Sequence, residues 1–318
     1  MPPLAVSMGD PAGIGLELAA RAWAARETLP PFFVTGDRNA LARAALRIGV
    51  DVSDCPVRHI ELAAPETPGA PDSVNAPATI AAIEAGVTAT RSGEASALVT
   101  LPIAKHVLKR AGFGFPGHTE FVGHLTAGDP WPHARGPVML LAGPALRVAL
   151  ATIHTPLADV PGSLTRSMIE NTARVLGEAL KRDFGIATPR IALCGLNPHA
   201  GENGAIGQEE IEIINPAAAA LRAEGWNISD ATSADALFNS EARQRYDAVI
   251  ALYHDQGLIP IKTLHFWDAA NITLGLPIIR TSPDHGTGFD IAGRGIARPD
   301  SFFAAMRTAW EMAERRRA

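Results

Sequence analysis

Cysteine is almost missing from this chain: 318 residues contain two, Cys55 and Cys194. They lie far apart and form no C-x-x-C pair, which excludes a disulfide framework and a zinc ribbon and fits a reducing compartment. Long apolar runs are missing too, since no stretch of about 18 uncharged apolar residues occurs. The start MPPLAVSMGDPAG has neither a basic n-region nor a long apolar core, so a soluble, unexported, cytoplasmic protein without a membrane partner is expected. Nor is there an excess of basic charge. With 28 Lys and Arg against 33 Asp and Glu, the net charge is -5, which offers no overall positive field to gather nucleic acid. A small-molecule partner is expected instead. Repeats, low-complexity tracts and long linkers are absent, so any domain division has to be made by packing.

What is there is a large apolar fraction, 47%, enough for two domains or one large α/β unit. Short apolar runs alternate with segments of helical period: Leu4 to Met8 then Ile14 to Ala25, Phe32 to Thr35 then Asn39 to Ile48, and Ala78 to Arg91 before Ala97 to Leu101. That alternation predicts βαβ units and a mainly parallel sheet. In PVMLLAGPALRVALATIHT two β-rich runs meet at Gly143-Pro144-Ala145, an antiparallel hairpin that makes the sheet mixed. A further helix is expected from Leu164 to Leu180, then the strand RIALCGL, and a closing helix in PDSFFAAMRTAWEMAERRRA.

Chemistry concentrates where strands end. His154 closes RVALATI, His199 follows RIALCGL within NPHAGENG, and His254 follows AVIALY. Side chains at strand ends of an α/β sheet converge on one crevice, so three imidazoles could meet around one ion. Their spacing is too long for a local zinc motif, and H-E-x-x-H does not occur. Singly, each is more often a capping or hydrogen-bonding residue; three in parallel contexts point to a metal. His59, His106, His124, His133 and His265 lack that setting and read as surface or satisfied structural residues. GFGFPG at 112–117 matches G-x-G-x-x-G as a string but follows a helical segment and contains Pro116, so a Rossmann reading fails. DHGTGFDIAGRGIARP, from Asp284, carries four glycines among polar groups, as close backbone approach to a flat polar ligand requires. Lys105, His118, Thr119, Lys262 and Arg280 are candidate anion binders.

The blocks MGDPAGIGLE, FPGHTEF, GLNPHAGENGAIGQEE, YHDQGLIPIK and NITLGLPIIRTSPDHGTGFDIAG carry a resemblance. Over essentially its whole length the chain resembles the 4-hydroxythreonine-4-phosphate dehydrogenase family of pyridoxal 5'-phosphate (vitamin B6) biosynthesis. The last block is also similar to the cofactor loop of isocitrate and isopropylmalate dehydrogenases. The resemblance implies an α/β, isopropylmalate dehydrogenase-like fold, with mixed, mainly parallel sheets, flanking helices and two interleaved domains around a central cleft. Residues 1–115 with 285–318 would form the first domain and 116–284 the second, carrying the metal ligands and the dimer interface.

Carried over by position, the metal ligands fall on His154, His199 and His254, and the substrate contacts on His118, Thr119, Lys262, Asn271 and Arg280. Asp235 and Asp255 match acidic positions of the same site. Asp255 could orient a ligand imidazole or accept the alcohol proton. His285, Gly286, Gly288, Asp290 and Gly293 match the cofactor loop. The implied reaction oxidises 4-phosphooxy-L-threonine with NAD or NADP and then decarboxylates the β-keto acid, aided by one divalent cation per site. Nitrogen ligands favour zinc or cobalt, while oxygen donors of the substrate admit magnesium or manganese. A homodimer sharing its metal site between subunits is also implied, and the apolar hairpin from Val138 to Ile153 suits a covered surface. The chain departs from the family pattern at Ala231-Thr232-Ser233, where Gly-Pro is usual. A sister dehydrogenase of 4-phosphorylated threonate or erythronate is the alternative. A metal-dependent hydrolase is a third reading, but it leaves DHGTGFDIAGRG without a role.

Overall fold

The computed structural model describes residues 1–317. Among these the strands, in chain order, are β1 (Leu4–Ser7), β2 (Phe32–Gly36), β3 (Val57–His59), β4 (Leu98–Thr100), β5 (Val138–Gly143), β6 (Leu146–Leu150), β7 (Arg190–Cys194), β8 (Asn227–Thr232), β9 (Ala248–Ala251), β10 (Ala270–Leu274) and β11 (Arg280–Pro283). The chain divides into two compact units, Met1–Pro130 with Leu276–Ala318, and Trp131–Gly275.

In the first unit the strand order is β3-β2-β1-β4-β11, every pair parallel. β1 (LAVS), β2 (FFVTG) and β4 (LVT) are short, largely apolar and buried throughout, as a sheet covered on both faces needs, whereas β3 (VRH) at the edge is partly exposed and β11 (RTSP) buries polar residues. Helix Ala76–Arg91 covers it with Ile83 and Val87, which join Leu98, Leu108, Phe113, Phe121 and Val122 in one core. That packing moves the first domain boundary from the expected 115/116 to 130/131. Helix His118–Leu125 inserts Phe121 and Val122 into this core, so it belongs to the first unit. The second boundary moves from 284/285 to 275/276, because β11 pairs with β4 and is covered by helix Asp300–Arg317.

The second unit has the order β10-β5-β6-β9-β7-β8, antiparallel through β10, β5 and β6 and parallel onward. The expected hairpin is present, turning at Pro144-Ala145 with Gly143 opposite Leu146. Helix Arg166–Arg182 begins at Thr165, whose hydroxyl accepts the Met168 N–H at 3.2 Å, a standard N-cap.

Two strands are shorter than the sequence suggests. β6 stops at Leu150, leaving His154 four residues beyond it, and β9 stops at Ala251. Helix His254–His265 then starts at once, with Pro260 inside it. Gly257 is the reason this helix can lie so close to the sheet. A Cβ there would stand 2.7 Å from Val148 Cγ1 and 2.8 Å from Leu150 Cδ2, closer than atoms pack.

Candidate active site

In the second unit, Gln256 answers why polar residues follow an oily strand. It is buried, accepts the Leu252 N–H on Oε1 (2.7 Å) and donates from Nε2 to Gly195 C=O (2.7 Å). The end of β9 is thereby tied to the end of β7, and His254 and the loop after β7 are positioned from one side chain. His254 is half-buried, and its Nδ1 meets Asp255 Oδ1 at 2.7 Å. Such a carboxylate fixes the imidazole tautomer with the proton on Nδ1 and leaves Nε2 as the lone-pair nitrogen. The His154 ring lies 6.0 Å from that of His254, tilted by 36°.

His199 sits in the turn Pro198–Gly204, where His199, Ala200, Glu202 and Asn203 all have positive φ, between 45° and 54°. Non-glycine residues pay roughly 1–2 kcal/mol each for that region, so neighbours must hold the turn. Glu210 does so. It is 2% exposed and accepts the Leu196 and Asn197 N–H groups on Oε1 (both 2.8 Å) and Asn197 Nδ2 on Oε2 (2.9 Å).

Do these histidines suit a divalent cation? Two rings on one tetrahedral ion stand about 5 Å apart, so His154 and His254 need to close by about an ångström, and the donor chemistry fits. The third does not join them within one chain: among the described residues no group of three or more His, Cys, Asp or Glu is placed to hold a metal.

Lys262 lies in the last turn of helix His254–His265, its ammonium 5.7 Å from the centre of the Phe266 ring. Asn271 is on β10, and its Oδ1 is buried with no hydrogen-bond partner. Asp235 is exposed and accepts a hydrogen bond from Ser233 Oγ at 2.8 Å, so the segment that departs from the family pattern sets its orientation. His265 is structural, as expected, with Nε2 accepting the Ala145 N–H at 3.2 Å and Nδ1 3.1 Å from Asp268 Oδ1.

In the first unit Arg280 is the centre. It is 3% exposed, and both Nε and Nη2 reach Thr100 Oγ1, at 3.1 and 2.6 Å. Burial pushes its pKa down to about 10, against the pull of Glu120, and the guanidinium stays protonated at neutral pH. His118 opens helix His118–Leu125, and its Nε2 is buried without a partner. Burial first, then the positive charges of Arg280 and Lys105, hold this imidazole well below its ordinary value of 6.5, so it is neutral. Thr119 follows it in the first turn.

The glycine-rich loop of the first unit packs on the turn of MGDPAGIG: the Ile14 N–H donates to Thr287 C=O at 2.9 Å. Gly288 (φ 56°) lies against Ile14 and Gly293 (φ 75°) against Pro68, so both serve the chain's own packing. Gly286 differs, with nothing within 4 Å of a Cβ built on it, and it leaves backbone open to a ligand. His285 Nδ1 lies 2.9 Å from Gly286 C=O, and Asp290 is exposed. A separate apolar hollow of about 750 Å³, lined by Trp23, Phe32, Phe33 and Arg58 among others, contains none of the candidate residues. Both cysteines are buried, and burial pushes each thiol to about 12, so neither is a nucleophile.

Thr100 and Glu210 were not singled out by sequence reasoning. Their only sequence signal is position: each is a polar residue ending a strand, or close after a strand-end loop.

Residues 27–309 match the family described as pyridoxal phosphate biosynthetic protein PdxA. The chain belongs to the PdxA family. It is 54% identical over 327 residues to the 4-hydroxythreonine-4-phosphate dehydrogenase of Caulobacter vibrioides, covering 99% of this chain and 98% of that one. For the protein of the same name from Maricaulis maris the identity is 53% over 335 residues, with 98% of each covered. The crystal structure of 4-hydroxythreonine-4-phosphate dehydrogenase from Klebsiella pneumoniae superposes with a TM-score of 0.86 at 35% identity, covering 98% of both chains. Isocitrate dehydrogenase from Methylococcus capsulatus shares 16% identity at a TM-score of 0.51, covering 100% of this chain and 88% of that one. At that identity the likeness speaks for the fold alone, and it bears out the expected α/β, isopropylmalate dehydrogenase-like fold class of this PdxA chain.

Proposed function

We propose that the chain oxidises 4-phosphooxy-L-threonine with NAD or NADP, and that the resulting β-keto acid loses CO2 to give 3-amino-2-oxopropyl phosphate on the route to pyridoxal 5'-phosphate. The observation that carries this reading is identity above 50% along almost the whole length to two proteins named for that activity. His154, His199 and His254 would hold a divalent cation: zinc, cobalt, magnesium or manganese. Such an ion supplies Lewis acidity, which eases loss of the alcohol proton and stabilises the enolate left by CO2. Asp255 keeps the Nδ1 proton of His254 in place. Lys262 and Arg280 bind the substrate's anionic groups, while neutral His118, Thr119 and Asn271 complete its hydrogen bonds. The backbone around Gly286, flanked by His285, Gly288, Asp290 and Gly293, takes the nicotinamide cofactor. Asp235, steadied by Ser233, lines the substrate wall.

The working unit in this proposal is a cytoplasmic homodimer whose metal ligands come from both chains. Its support is that, among the described residues, one chain brings two imidazoles together but no group of three. Appearance of NADH at 340 nm with 4-phosphooxy-L-threonine tests the activity, and silence with both NAD and NADP would overturn it. Chelation should abolish the signal and a divalent cation restore it. Mixing His154→Ala, His199→Ala and His254→Ala variants pairwise should restore activity in at least one pair, whereas an active monomer by light scattering would refute the shared site. The second reading, a 4-phosphorylated threonate or erythronate as substrate, rests on the unusual Ala231-Thr232-Ser233 beside Asp235. The same assay with those acids decides it.

A further inference from the structure

Lys105 opens helix Lys105–Arg110 in the first unit and is exposed. Among the described residues its ammonium group has no hydrogen-bond or ion-pair partner. Its position is nevertheless constrained. The end of the side chain lies across Gly117: a Cβ built on that glycine would stand 3.2 Å from Lys105 Cε and 3.7 Å from Nζ. A residue other than glycine there would push the lysine aside.

Gly117 is the extended N-cap of helix His118–Leu125, with φ -179° and ψ -165°, and no side chain caps this helix. The N–H groups of His118, Thr119 and Glu120 therefore stand at the positive end of the helix without a side-chain acceptor. Beside them the Nε2 of His118 is buried and unpartnered, and the charges of both Lys105 and Arg280 act on this imidazole. Glu120 faces the cluster, its Oε2 3.5 Å from a Cβ built on Gly117, and its charge is felt at Arg280. Two positive charges, one on buried Arg280 and one on exposed Lys105, stand with these N–H donors opposite Glu120, a balance suited to a dianion.

We propose that Lys105 is a further substrate-binding residue of this site, its ammonium group taking a phosphate oxygen beside the uncapped N–H groups of His118 and Thr119. The inference rests on the phosphorylated substrate proposed above and adds to it where the phosphate is gripped. Lysine suits this task as a mobile point charge, while buried Arg280 is a fixed one.

The experiment compares Lys105→Met and Lys105→Arg with Lys109→Met, an exposed lysine of the same helix, as control. With 4-phosphooxy-L-threonine, Lys105→Met should raise KM about 10- to 100-fold, the effect of one charge-assisted hydrogen bond, with kcat changed much less. Lys105→Arg should recover most of the loss, and Lys109→Met should match wild type. With 4-hydroxy-L-threonine, which lacks the phosphate, Lys105→Met and wild type should perform alike. An unchanged KM, or an equal loss with both substrates, overturns the role of Lys105 while leaving the proposed activity standing. If wild type does not oxidise 4-phosphooxy-L-threonine, the proposed activity fails on its own, and calorimetry with inorganic phosphate decides for Lys105. Weaker phosphate binding in Lys105→Met but not in Lys109→Met supports the inference, and equal binding in all three overturns it.

Discussion

Replacing Thr100 by valine removes one oxygen and almost no volume, from a residue with no exposed surface. That oxygen accepts two donors of Arg280, Nε at 3.1 Å and Nη2 at 2.6 Å. A hydrogen bond to a charged group contributes about 1.5–3 kcal/mol, and a buried donor left without its acceptor keeps its desolvation cost. Since both bonds share one acceptor, Thr100→Val should destabilise the first unit by about 2–4 kcal/mol, or roughly 5–10 °C in Tm for a unit of this size. Thr100→Ser keeps the oxygen and should stay within about 1 kcal/mol of wild type, the scale of losing one methyl group. The functional consequence follows from the same contact. The Thr100 hydroxyl orients the Arg280 guanidinium, and in Thr100→Val that orientation is weakened, so the substrate KM should rise about tenfold while NAD binding holds. Differential scanning calorimetry and initial rates measure both. A Thr100→Val protein with wild-type Tm and wild-type KM would refute the argument that this hydroxyl fixes Arg280.

Asp255→Asn should leave the melting temperature unchanged, because Asp255 is exposed, yet weaken divalent-cation affinity about 10- to 100-fold by releasing the His254 tautomer; cation titration by calorimetry reads this, and unaltered affinity would count against Asp255 as the orienting group. His118 is held neutral in the fold, so below about pH 6.5 the unfolded chain binds a proton that the folded chain does not. Stability should therefore fall as pH drops from there toward the depressed folded-state value, and urea midpoints should show His118→Gln lacking that part of the slope. Gly257→Val forces atoms into the 2.7 Å gap to Val148 and should cost about 1–3 kcal/mol as overpacking, with a lower cation affinity because helix His254–His265 is displaced; a wild-type urea midpoint would contradict the close approach.

Local chemistry was enough to read much of this protein from its residues. The alternation of apolar runs and helical periods decided the α/β class, because a strand buried on both faces and a helix buried on one leave different periodicities. The hairpin at Pro144-Ala145 was legible for the same reason. Position at strand ends picked out His154, His199 and His254, and the motif blocks announced the family. Only tertiary structure decided which groups meet. Periodicity has no term for a helix that begins directly after β9, which depends on Gly257 finding Val148 and Leu150, more than a hundred residues away. It could not show that Gln256 reaches Gly195, that Glu210 holds the left-handed turn of His199, or that Thr100 receives Arg280 across 180 residues. It misplaced both domain boundaries, because helix His118–Leu125 and β11 are assigned by the core they enter rather than by any linker. Sequence determines which segments are apolar and which are chemically able, whereas contacts between distant segments, whose energies depend on shape and distance, decide which of those able groups act together.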